Sequence, residues 1–183
     1  MSVKYLCAGV LIAIAVMLGL TPVVLAQDSV VTVEVLAVVS ISVTPATLYF
    51  SIDPSSQLYN DTITAPPSNI TVENTGNVYV NVTVSTNATS ADIFTVSGHA
   101  FEYLSDDNEA GSCTNTLQTS WTNFTSTGTQ YVVCNGTGTS GTGLNYADSS
   151  DSVVVALNVS IGGTNEPAGV KPKAQLTFTA TQN

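Results

Sequence analysis

Asparagine offers this sequence most of its chemistry. Asn60, Asn69, Asn81, Asn87, Asn123, Asn135 and Asn158 each head an Asn-x-Ser/Thr triplet, the acceptor pattern for N-linked glycans on exported proteins. One such triplet arises easily in a Thr-rich chain, whereas seven in one exported domain point to a glycoprotein. Asn81 and Asn158 alternate with Val80, Val82 and Val84 and with Val153, Val155, Leu157 and Val159. Side chains of a strand alternate between its faces, so glycans at Asn81, Asn87 and Asn158 are expected to point outwards. Cysteine chemistry is equally limited. Cys7 lies in an N-terminal apolar run, leaving Cys113 and Cys134 with one possible pairing. An oxidising exterior favours that bridge, and closing a loop of this length stabilises a fold by roughly 3 kcal/mol in the chain-entropy treatment.

The residues that catalysis needs are missing. His99 is the single histidine and Arg is absent, so a zinc-protease helix with two histidines and a glutamate cannot be assembled. Ser and Thr abound, but none stands with a histidine or lysine near a Gly-x-Ser-x-Gly turn. His99, beside Phe101 and Tyr103, reads as an ordinary strand residue. The clusters Asp106, Asp107, Asn108 and Glu109, and Asp148 with Asp151, have the oxygen chemistry calcium favours but not EF-hand spacing. They read as solvated loop charge. The chain is therefore expected to be no enzyme, with no catalytic, metal or cofactor-binding residues and no cofactor.

Charge excludes further classes. Three Lys and no Arg stand against thirteen Asp and Glu, giving a net charge of −10. Nucleic acid requires clustered cations, and an anionic lipid surface is an equally poor partner. At the N-terminus, Lys4 precedes an apolar run over residues 6–20, and Val24 and Ala26 supply a signal-peptidase pattern ahead of Gln27. Residues 1–26 are expected to be a Sec-type signal peptide, because the run is shorter than the roughly 20 residues of a membrane span and Thr21-Pro22 ends it. The mature protein is then extracellular, without a membrane span once the signal is removed.

After residue 27 helical periodicity is absent and period-2 alternation recurs. Val31, Val33, Val35, Ala37, Val39, Ile41 and Val43 share one face of a segment ended by Thr44-Pro45. Leu48, Phe50 and Ile52 alternate next. Further strands are expected over 70–84 (broken by the turn Asn74-Thr75-Gly76-Asn77), 93–96, 99–104, 117–124, 131–134, 153–161 and 174–181. Short β-branched runs between Gly, Pro, Asn and Ser clusters argue for a sandwich or barrel. The fold expected is all-β: a single immunoglobulin-like or jelly-roll sandwich over residues 45–183, preceded by a long N-terminal strand over 27–44. Residues 136–143, the low-complexity run GTGTSGTG, are expected to form a mobile loop. Trp121 is expected in the core, with Tyr146 at a loop edge.

The stretch Leu48-Tyr49-Phe50-Ser51-Ile52-Asp53-Pro54, followed by Ile70-Thr71-Val72-Glu73 and the Asn-Thr-Gly-Asn turn, resembles the opening of many extracellular immunoglobulin-like modules. In layout (exported, an alternating apolar strand at the mature N-terminus, then one Thr- and Asn-rich sandwich) the chain also resembles archaeal thread and bundling-pilus subunits related to the TasA–camelysin group. That resemblance implies a filament of identical subunits, each chain's N-terminal strand completing its neighbour's sandwich and supporting surface adhesion or biofilm. The alternating segment fits such a role. Its fifteen residues over 29–43 would reach roughly 50 Å as a strand, and burying its odd face could contribute on the order of 10 kcal/mol before entropic costs. The alternatives are a first strand bent across both sheets of its own domain, and a monomeric or S-layer-associated glycoprotein that binds rather than assembles.

Overall fold

Valines at alternate positions, each with one face too apolar for water, build two antiparallel sheets that bury those faces against each other. The computed structural model describes residues 32–53, 59–63 and 69–183, and the sandwich is the unit Leu36–Asn183. In chain order the elements are β1 (Ile41–Thr44), β2 (Tyr59–Asp61), β3 (Ile70–Asn74), β4 (Val80–Thr86), a short helix α1 (Ser90–Ile93), β5 (Ala100–Asp107), β6 (Thr116–Leu117), β7 (Thr122–Asn123), β8 (Tyr131–Asn135), β9 (Ser152–Ser160) and β10 (Leu176–Gln182). The larger sheet runs β1-β3-β9-β5-β7, with β2 following β3 along the same side of β9; the smaller runs β10-β4-β8-β6. Val72, Val80, Val82, Val84, Val133, Val153 and Val155 are fully buried between them, with Tyr103 and Phe124 stacked at 5.1 Å.

One side of the sandwich is sealed and the other is open. On the sealed side the Ser105 amide of β5 donates to the Gln118 carbonyl, just past β6, and the Ser105 hydroxyl donates to the Val133 carbonyl of β8. Tyr103 likewise donates to the Val132 carbonyl. These ties set β5 against β8 and β6, which leaves β1 and β10, the opposite edges of the two sheets, on the far side. There the apolar residues are only half-buried: Ile41 and Val43 of β1, Leu48, Phe50 and Ile52, and Leu176, Phe178 and Ala180 of β10.

Several expectations are corrected. Among the described residues of the expected first strand only Ile41–Thr44 enters a ladder, pairing with β3, so Ile41 and Val43 pack on their own chain's core. Leu48, Phe50 and Ile52 alternate towards the core without a ladder. Residues 93–96 leave α1 and turn instead of forming a strand, because Asp92 accepts from the Thr89 amide and closes a helical turn. Residues 117–124 divide into β6 and β7, which belong to different sheets. Trp121, on the crossover between them, is exposed. Residues 136–143 are tied down: the Asn183 amide group donates to Thr139 and Thr142 oxygens, while Gly138 donates to Asn183. The signal peptide over 1–26, its junction at Gln27, and Val31 lie outside the described residues.

Candidate assembly surface

Cys113 and Cys134 form the expected disulfide, Cα atoms 5.8 Å apart, fastening the chain before β6 to β8. The loop acids cap backbone. Asp107 accepts from the Cys113 amide at 2.9 Å and Glu109 from the Asp151 amide at 3.0 Å. Asp151 itself is raised above the ordinary carboxylate range, by burial first and then by the charges of Glu109, Glu73 and Asp148. Among the described residues no group of three or more His, Cys, Asp or Glu could hold a metal. His99 sits one residue ahead of β5, with Nδ1 against the Val96 carbonyl and its ring 5.8 Å from Phe94.

The sequon asparagines fall into different environments. Asn87 and Asn123 are exposed; Asn69, Asn81, Asn135 and Asn158 are half-buried; Asn60 is buried. Asn60 faces inward with Val159, its register partner, and donates to the Ser51 carbonyl. Asn158 and Asn123 flank Glu102 in register on the outer face, donating at 2.7 and 3.1 Å to its two carboxylate oxygens. Asn81 bridges the Gly136 amide and Asn183. The parity reading thus places Asn81 and Asn158 off the core face, where they are engaged in hydrogen bonds.

The more unusual construction is at the turn between β3 and β4. Asn74 is 2 % exposed, and its side chain donates to the Val78 and Leu144 carbonyls and accepts from Gly76. That fixes the turn so that its outer rim meets the chain entering β1. Asn77 then treats residues 36–38 as a neighbouring strand. Its side-chain oxygen accepts from the Val38 amide at 2.7 Å, its side-chain nitrogen donates to Leu36 at 2.9 Å, and its backbone amide donates to Val38 at 3.1 Å. Thr75 adds a backbone and a hydroxyl bond to Ser40. Gly76 permits the approach, since a Cβ there would stand 2.2 Å from the Val38 oxygen. The turn, readable from sequence only as a hairpin, is a clamp on the incoming segment.

No protein family, curated protein or solved structure matches this chain. The surface must therefore be read from its own chemistry. Ahead of and within the clamp the apolar residues are in water: Val33 is 82 % exposed, Val35 81 % and Leu36 70 %, with Val38 and Val39 also exposed. Of the face Val31, Val33, Val35, Ala37, Val39, Ile41 and Val43, the structure brings Ile41 and Val43 onto the core and leaves Val39 exposed. A second surface lies beside the clamp, where Tyr79 and Tyr146 meet edge to face at 5.3 Å in a shallow depression of about 210 Å³ that Asn77 and Gln182 also line.

Proposed function

We propose that this chain is the structural subunit of an extracellular filament, exported by a signal peptide, bearing N-linked glycans and polymerising head to tail by donor-strand complementation to support surface adhesion or biofilm. The observation that carries the reading is Val33 and Val35, exposed directly ahead of a clamp that holds Leu36 and fixes where the segment leaves the sandwich. An alternating apolar segment in water is an assembly or aggregation element. Each valine or leucine buried in a neighbour is worth about 1.5–3 kcal/mol before ordering costs. A segment that joins one copy to the next without closing produces an open fibre.

Negative-stain microscopy of the secreted chain tests this reading. Filaments are expected from the wild type. Deleting residues 27–35, which spares the clamp and β1, should leave a folded monomer that forms none. Fibres that persist after that deletion would refute donor-strand assembly. The Tyr79–Tyr146 depression favours a second reading, a monomeric glycoprotein that binds sugars, since paired aromatics beside amides suit sugar rings. A secreted wild-type monomer that binds glycans would support it.

A further inference from the structure

Resting on the filament reading, we infer that the acceptor in the neighbouring copy is the outer edge of β10, which the incoming residues around Val33 and Val35 join as an antiparallel strand. Among the described residues five strands leave an edge unpaired, and four of them serve poorly, β2 with only three residues among them. β6 and β7 have two residues each and β1 has four, whereas β10 has seven. Among the described residues β10 pairs with β4 alone. Its sequence, Leu-Thr-Phe-Thr-Ala-Thr-Gln, has no charge or proline to blunt the edge, the usual protections against strand addition. Its inward residues Leu176, Phe178 and Ala180 are half-buried on the open side of the sandwich, as a face missing one neighbour should be.

Direction supports the same edge. β1 begins at Ile41 level with Asn74, so the chain arrives from the end of the sandwich that holds the Asn74–Asn77 turn. β10 finishes at that same end, Gln182 opposite Val80. In a filament of copies related by translation along the strands, the upstream segment passes from that end of one copy into the opposite end of the next. There it runs antiparallel to β10, the arrangement β4 already makes on β10's other side, and parallel to β1. With the clamp holding residues 36–40 on their own copy, Val35 falls opposite Leu176 and Val33 opposite Phe178. Glu34 then faces outward beside Thr177. Charge agrees: in a chain with thirteen acidic residues and three lysines, like-charge repulsion opposes most contacts between copies. Here a segment whose only charge over residues 32–40 is Glu34 meets an edge that has none.

The test is thiol cross-linking of assembled filaments made from full chains carrying Glu34→Cys with Thr177→Cys, using a short bifunctional reagent. The expected result is a ladder of covalent dimers, trimers and higher multimers on a denaturing gel, absent from either single variant. Two comparison chains separate the alternatives. Filaments that ladder only with Glu34→Cys and Ser42→Cys place the acceptor at β1 and overturn the inference while sparing the filament reading. A product confined to one chain from Ser51→Cys with Thr177→Cys, in intact filaments, shows that the segment around Phe50 occupies β10's edge, and overturns it likewise. A wild-type chain that forms no filaments removes both this inference and the reading beneath it.

Discussion

Replacing Gly76 by alanine should release the clamp without unfolding the sandwich. The added Cβ would lie 2.2 Å from the Val38 oxygen and 3.1 Å from the Ser40 amide nitrogen. Both are backbone atoms, so no side chain can rotate away, and the incoming segment must retreat by about 1 Å to reach ordinary contact. The Asn77 amide bond to Val38, already 3.1 Å, does not survive that movement. The two bonds from the Asn77 side chain to Leu36 and Val38 move with it. At about 0.5–1.5 kcal/mol net for each hydrogen bond, the three together are worth roughly 2–3 kcal/mol of local protection. Amide hydrogen exchange at Val38 and Asn77 should therefore accelerate about 30- to 150-fold. Val82 and Val84 in β4 should keep their protection, because the affected strip is exposed and peripheral. Global stability should fall by less than about 1 kcal/mol, since alanine also restricts the unfolded chain. Filaments should become fewer or less regular, the donor segment having lost its fixed point of departure. If the Asn77 amide in Gly76→Ala exchanges as slowly as in the wild type, the clamp does not depend on the missing Cβ and the reasoning fails.

Three further outcomes follow from the same structure. Glu166 is depressed from its ordinary 4.5 to about 2, first by the Lys171 ammonium bonded to it and then by the Val96 and Thr95 amides, which outweigh its burial. A folded pKa below the unfolded one stabilises fully above the unfolded value and is lost as pH falls through the folded one, so denaturation curves should show stability declining from about pH 4.5 towards 2 and Glu166→Gln should flatten that decline. Removing the disulfide as Cys113→Ala with Cys134→Ala should cost roughly 3 kcal/mol in urea unfolding; an unchanged midpoint and slope would contradict the loop-closure argument. Glycopeptide mapping of the secreted protein should find Asn87 and Asn123 carrying sugar more fully than Asn60, whose amide is buried on the Ser51 carbonyl, and full occupancy at Asn60 would show that modification precedes folding there.

What depends on neighbouring residues and on composition was legible before the fold was known. Alternating valines at Val80, Val82 and Val84 and at Val153, Val155, Leu157 and Val159 specify strands with one buried face, and the structure buries those faces. With Cys7 set aside in the N-terminal apolar run, two cysteines left one bridge to draw, and the bridge is there. Pairing is a different matter, because alternation says which face is wet and not which strand lies alongside. Leu117 to Phe124 reads in sequence as one strand, yet Leu117 finds its ladder on β8 and Thr122 on β5, so the chain changes sheets and carries Trp121 out to solvent. Asn60 heads a sequon like the others until its ladder with Val159 turns it inward. The Asn-Thr-Gly-Asn turn shows the division most clearly. Its turn chemistry is local and legible, while its grip on Leu36, Val38 and Ser40 joins residues 35 to 41 positions apart. Such contacts depend on the packed sheets holding distant backbone together, and nothing in the spacing of either segment records them.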